Sequence, residues 1–554
     1  MEAIDSVIPN WLIITIYLVC ILGVGFYLKY FIKTEDDIFA AENQNSFWLI
    51  GLSFITINLG ALELIGMMGS TVKYGMYVSH FFWIGAIPAM LFLGIFIIPF
   101  YYSNKIKSIT DYFKHRYDEK TRVLNSVIFA TITLLVSGIN LYATALILHT
   151  LLGWNWNISI FIGIAIAAIY IALRNLISAT FIEFTLFFLI WFGLLLISIM
   201  GIIDMGGINN VFHHIPEAYS KLWSNSVDPA QNAMMVNWIG IVLGLGFVLS
   251  FGYWTSDFLV MRRVQSARDI YSAQMTPIFA SFLKMALPFI VVLGGLVALS
   301  LSRNPLTNFG LLHESGRINY DSALPLLIAR YYPKSLVGLG IAALLAGFTV
   351  VQAWNIKIFN MVWTDDIYHS LINKKASKDN LNRMGKIATV SGIFITVAAA
   401  YWAKSFPSIM DYMQAIFSWV NAPLLAIILL GIFIKWITPT AAFCGLLTGI
   451  SSSFSMFLAV KFNWIPVSII TLSKVSSDMA ANFWRALWAW LICLTVTIIV
   501  SLFTKKKSES RLIGFVKGLT EKEIISEPIV FYRKPIFWAF ISLATLIALN
   551  VYFW

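Results

Sequence analysis

Charge is what this chain has least of. Asp, Glu, Lys and Arg make up 12% of its 554 residues, against about 25% in an ordinary soluble domain, which excludes a water-facing surface of normal extent. Cysteine is almost absent. Cys20, Cys444 and Cys493 lie in separate apolar runs and read as core packing, which excludes a disulfide framework or a cysteine metal centre. No HExxH, P-loop or GxSxG pattern occurs, and no nucleophile–base constellation is visible. Movement is therefore expected rather than catalysis, with no resident metal or organic cofactor. The opening residues MEAIDSVIPN carry no basic region or small-residue cleavage site, so the first apolar run is expected to be retained.

Apolar residues fill the space that charge leaves. The chain is 59% hydrophobic and 15% aromatic, with mean hydropathy +0.80. A run of about 20 apolar residues crosses a bilayer. By that measure about fourteen spans are expected, at 10–31, 47–70, 78–102, 124–151, 156–173, 177–203, 237–260, 275–301, 335–364, 387–404, 408–435, 438–460, 482–503 and 535–553. The reading is an all-α integral membrane protein forming one domain, 1–554, that rests in a lipid bilayer.

A net charge of +11 raises the question of nucleic acid, and its distribution answers it. Basic residues gather between alternate spans: Lys105 to Arg122, Arg174, Arg262 to Arg268, Lys374 to Lys386, and 505–507. Loops 204–236 and 461–481 hold few. This is the positive-inside pattern. It puts both termini outside the cytoplasm of a cell membrane and leaves nucleic acid unnecessary. No obligate protein partner is evident.

Two spans carry helix-weakening and polar residues at mid-depth. The span at 47–70 holds Asn58, Gly60, Glu63, Gly66 and Gly69; that at 237–260 holds Gly244, Gly246, Ser250, Gly252 and Asp257. Glycine also serves close helix packing. Two such spans five helices apart fit an inverted-repeat carrier, in which discontinuous helices expose backbone groups to a solute. Glu183, Lys284, Asp411 and Gln414 are further mid-span polar residues that read as linings of a solute path, with His80 and Trp83 near the start of the third span. Lys357, inside the apolar stretch 342–363, is a costly charge that either snorkels to the headgroups or marks a transport path.

Several separated motifs carry a resemblance: NLGALELIGMMG (58–69), SITDYFKHRY (108–117), GYW (252–254), FLKMALPFIVVLGG (282–295), WTDDIY (363–368) and DYMQAIFSWVNAPLLAIILLGIF (411–433). In this order and spacing they resemble the sodium:solute symporter family, and within it the sodium/sugar branch, over roughly residues 40–440. The resemblance implies a LeuT-type fold of two inverted five-helix repeats with flanking helices, working by alternating access. On this chain it implies an extra helix at 10–31, repeats at 47–203 and 237–435, and peripheral helices over 438–553. It also implies that Lys284 and Gln414 contact a sugar, and that Tyr253, beside Trp254, closes the substrate cavity with Asn58 as its partner. A small-molecule solute, a sugar or similar polyol, is the expected cargo.

The departures matter as much. Glu63 stands where the branch has glutamine, Ser250 where it has asparagine, and Phe82, with His80 nearby, where it has glutamate. Glu183 replaces an aspartate on the sodium path. The paired serines of the family's sodium site fall on Val350 and Val351, whose side chains offer no oxygen. Lys357 follows Val350 by two turns, roughly 10 Å along the helix, and is expected to pair with Glu183 as a built-in cation. The leading expectation is thus a polyol carrier with a degenerate sodium site, proton-coupled through Glu63, Glu183 or Lys357, or else facilitative. One alternative is a sodium-coupled sugar symporter whose ion has moved to Glu183, Asp257 or Glu63. Another is an amine or amino-acid carrier of the same fold.

Overall fold

The computed structural model describes residues 46–104, 106, 108–172, 179–223, 226–257, 267–304, 307, 309–311, 318–333, 337–519 and 530–554. The expected helix at 10–31 lies outside them. The principal helices are α1 (Phe47–Asn58), α2 (Met67–Tyr74), α3 (Phe81–Ser103), α4 (Ile109–Arg116), α5 (Glu119–Leu152), α6 (Trp156–Ala172), α7 (Ala179–Asp204) and α8 (Gly240–Ser256). They continue with α9 (Ile270–Arg303), α10 (Ala323–Tyr331), α11 (Val337–Met361), α12 (Lys378–Ala403), α13 (Ile409–Phe433), α14 (Pro439–Lys461), α15 (Asp478–Phe503) and α16 (Pro535–Tyr552). Among the described residues, 10 helices are long and apolar enough to cross a membrane, and α1, α6 and α8 are shorter apolar ones.

Local chemistry sets the ends of these helices. Asp118 caps α5 by accepting the Thr121 N–H at 2.8 Å, and Gly153, at φ 69°, ends it in the left-handed region that glycine tolerates. Ser408 caps α13 through the Asp411 N–H. α13 is buried along nearly its whole length and forms the centre of the bundle, with α15 and α8 packed on it. α14 and α16 turn large apolar side chains outward, Phe454 and Phe540 among them, as lipid requires.

The span expected at 47–70 is broken. α1 stops at Leu59, whose N–H bonds the Thr56 carbonyl at 2.9 Å; a π-helical turn, Leu62–Gly66, follows before α2. A Cβ on Gly60 would sit 3.2 Å from Asn140 Oδ1 and 3.5 Å from the Val351 methyls, so only glycine passes here without displacing them. The second expected break is different. Residues Gly240–Ser250 of α8 stay helical with π-type winding and run straight into the α-helical Phe251–Ser256. Its glycines serve close packing instead: a Cβ on Gly252 would strike the Asn421 carbonyl. α11 also outruns its expected end at 364, continuing as a π-helix through Val362–Ile372.

The motif at 108–117 is a fastener. Arg116, fully buried on α4, donates to the carbonyls of Gly431, Ile434 and Ile437 at 2.9, 2.8 and 3.2 Å, and Tyr117 Oη donates to Ile427 at 2.8 Å. The Gly431, Ile434 and Ile437 carbonyls lie at and beyond the end of α13, where the helix no longer supplies donors.

Candidate functional site

The π-helical turn after the break carries Glu63, and α9 carries Lys284. The two meet as an ion pair inside the bundle, 6% and 4% exposed. Pro288 leaves the Lys284 carbonyl without its usual helical donor, and the chain tightens into a 3-10 turn, Leu287–Phe289, whose first N–H takes that carbonyl. Trp83 Nε1 donates to the next carbonyl, Met285, at 3.2 Å. The Lys284 turn is thereby held in place. Two aromatic rings flank its ammonium, Phe82 with its centroid at 5.5 Å and Trp254 at 5.7 Å, within the range of cation–π attraction.

Ties close the chain on both sides of this pair. Five residues before Glu63, Asn58 Oδ1 accepts from Tyr253 Oη at 2.7 Å, and the Tyr253 ring packs on Phe417 of α13. Trp254 stacks on Phe54 with centroids 5.5 Å apart. Ten residues after Glu63, Lys73 pairs with Asp411 at 2.6 Å, and Tyr74 donates to the other Asp411 oxygen at 2.9 Å. Asp321 lies beside this second tie, accepting from the Ile409 N–H at 3.0 Å and from Tyr142 at 3.5 Å. The pair is enclosed between two ties. Asp411 was expected to line the solute path; at the first turn of α13 it belongs to the tie.

The helix break meets α5 and α11. Asn140 Oδ1 accepts the Ala61 N–H at 3.2 Å, satisfying a donor that the break would otherwise strand. The Val351 methyls face Gly60, and a Cβ on Gly347 would lie 3.6 Å from Ile190 Cδ1 and 3.9 Å from the Leu59 carbonyl oxygen. Of the oxygens on hand, Thr56 Oγ1 donates to the Leu52 carbonyl at 2.9 Å, while the Gly60 carbonyl accepts from Leu64 at 3.1 Å.

Not all the expected site residues join this pair. His80 Nε2 bonds the Leu222 carbonyl at 2.8 Å and its ring meets Trp223, so it fastens the loop after α7. Ser250 Oγ lies against Gly85 of α3. Gln414 is buried with its carbonyl oxygen lacking a hydrogen-bond partner among the described residues, and α13 brings it along both the Glu63 turn and α8. The Lys357 ammonium lies over the Trp354 ring at 5.1 Å. Glu183 is on α7, but its side chain, and so the expected pairing with Lys357, lies outside the described residues. Asp257 is the residue that ends α8. Neither Asn140 nor Lys73 was singled out in the sequence; Asn140's amide inside an apolar span was the available signal. An open apolar groove of about 510 Å³ between α3, α8 and α16 offers nothing to a polar solute, since its Asn550 is bonded to Trp223 and Leu546.

A broken core helix, a buried polar pair at the break and a tie on each side define a multi-pass membrane carrier of small solutes. The chain matches the sodium:solute symporter family over residues 38–449, and it belongs to that family. It is 27% identical over 467 residues to the sodium/glucose cotransporter of Vibrio parahaemolyticus, covering 81% of this chain and 84% of that one. It is 25% identical over 477 residues to the human sodium/myo-inositol cotransporter, covering 79% and 65%. A solved Na+-coupled sialic acid symporter, in a substrate-bound outward-open state, superposes with a TM-score of 0.70 at 20% identity, covering 91% of this chain and all of that one. The fold is LeuT-type, and the family's members are transporters.

Proposed function

We propose that this protein is a secondary carrier that moves a sugar or sugar-like polyol by alternating access, without sodium at the family's usual place. Relatives named for glucose and myo-inositol support a polyol, as do Lys284 and Gln414, a buried ammonium and a buried amide with an unpaired oxygen. A site built to bond hydroxyls rejects solutes that lack them, because its own polar groups are then left unpaired. The pairing of Glu63 with Lys284 works against a cationic cargo, which would have to approach an ammonium to reach the carboxylate.

The observation that carries the sodium-free reading is the apolar filling opposite the helix break. Sodium is a hard cation that takes oxygen ligands. Val350 and Val351 supply none, and Asn140 Oδ1 already accepts the Ala61 N–H. The relatives are named as sodium cotransporters, so the test is direct. Thermal stabilisation of the purified protein by glucose, myo-inositol, alanine and choline, each with and without sodium, identifies the solute class. Uptake of the stabilising solute into proteoliposomes is expected to be equal in sodium and in potassium. Strict sodium dependence would overturn the reading in favour of a relocated ion site.

A further inference from the structure

We infer that the Glu63–Lys284 pair is a proton-binding site that loads together with the solute, so that this carrier runs as a proton symporter. The inference rests on the carrier reading above but not on which solute is carried.

With no solute bound, the pair is self-satisfied: carboxylate and ammonium neutralise one another inside the closed bundle. A solute oxygen that takes the Lys284 ammonium strands the Glu63 carboxylate, and an unpaired buried charge is strongly disfavoured. A proton delivered to Glu63 from water on the open side makes it neutral, and the resulting carboxyl can itself bond the solute. A proton without solute is equally disfavoured, because it leaves the ammonium, among the described residues, with the faces of Phe82 and Trp254. Either both ligands bind or neither does, which is the requirement for symport. Breaking such a pair on one side suppresses each half-loaded state on the order of a hundredfold or more.

Several titratable groups on the elements packed around the pair have partners of their own: His80 before α3 bonds the Leu222 carbonyl, and Arg303 of α9 lies over the Tyr219 ring. Lys73 and Tyr74 of α2 bond Asp411 of α13; Tyr142 of α5 bonds Asp321, next to Tyr320. Arg330 and Tyr331 of α10 bond Asp204, and Tyr253 of α8, ahead of Asp257, bonds Asn58. At the far ends of α5, Arg122 pairs with Glu119 and Asp366, and His149 bonds the Trp154 carbonyl. Tyr101 and Tyr102 of α3, Tyr271 of α9, Tyr412 of α13 and Tyr552 of α16 are phenols rather than carboxylates or amines. The proton's effect is assigned to Glu63, the carboxylate that faces Lys284, and the Glu63→Gln variant separates it from Asp321.

The test uses the full chain in sodium-free proteoliposomes with whichever of glucose, myo-inositol, alanine or choline stabilises the protein. For one proton per solute at zero membrane potential, accumulation is expected to rise about tenfold per unit of inside-alkaline pH gradient. Adding solute is expected to alkalinise the outer medium. Glu63→Gln, which mimics the protonated carboxyl, is expected to lose both responses yet exchange labelled for unlabelled solute at a tenth of the wild-type rate or better. That exchange shows that the variant is folded and binds, and Glu63→Asp is expected to recover part of the gradient response. Wild-type uptake indifferent to the pH gradient, or a Glu63→Gln protein that still accumulates solute on one, overturns the inference. A cargo of alanine or choline would instead sink the polyol reading while leaving this one standing.

Discussion

Tyr253 and Asn58 show how much one hydrogen bond does at the residue scale. The bond joins α8 to the last turn of α1 at the side of the Glu63–Lys284 pair nearer the chain's start. A single neutral hydrogen bond contributes about 0.5–1.5 kcal/mol, enough to shift a closed–open balance roughly two- to tenfold. Tyr253→Phe is therefore expected to leave folding intact and favour opening at this end. In a background lacking Cys20, Cys444 and Cys493, a cysteine placed at Thr56 should react with a small thiol reagent two to ten times faster in the variant. Unchanged labelling would mean that the packing of Tyr253 on Phe417 and of Trp254 on Phe54 closes this end unaided.

At the scale of elements, the helices are held by a few buried polar fasteners. Arg116 takes three carbonyls at the end of α13, and Arg122 ties the start of α5 to Asp366 in the π-helical end of α11 at 2.7 Å. Leaving a buried polar group unpaired costs about 1–3 kcal/mol. Arg116→Met, which keeps the volume and removes the donors, is expected to destabilise by about 3–5 kcal/mol. Thermal unfolding in detergent should show this as a markedly lower midpoint, whereas substituting the exposed Lys114 on the same helix should not. The element that departs most from expectation is α8, which stays wound through its glycines, π-helical over Gly240–Ser250 and α-helical over Phe251–Ser256.

For the whole molecule, the tie formed by Lys73, Asp411 and Asp321 links α2, α13 and the turn before α10. Burial, reinforced by the neighbouring Asp411 charge, pushes the Asp321 carboxyl up to about 8, against the opposing pull of the Ile409 N–H, Tyr142 and Lys73. In the unfolded chain the same group ionises near 4. Between those values the folded state holds the extra proton, so stability is greatest at the acid end and falls as pH rises towards about 8. Above that no further loss comes from this group. Melting of the wild-type protein at pH 6 and pH 9 is expected to show the loss, and Asp321→Asn should flatten the difference. An unaltered pH slope in Asp321→Asn would assign it to other groups.

Much of this was legible in the sequence because a bilayer constrains a chain so tightly. Every span expected from 47 onward has its helix, since apolar length alone decides a membrane crossing. The break in the first core span was readable from Asn58, Gly60 and Glu63, and the motifs pointed to the family and to the Asn58–Tyr253 contact. Pairing was less legible. Glu63 and Lys284 are 221 positions apart, each readable as an ionisable residue within a span, but nothing along the chain says that they neutralise one another. Asp411 read as a lining residue until Lys73, 338 positions away, was found beside it. Hydropathy is a local property, and it determined a helical membrane protein, while the separated motifs added the resemblance to a family. Which buried charge meets which depends on the packing of helices distant in sequence, and that only the tertiary structure decided.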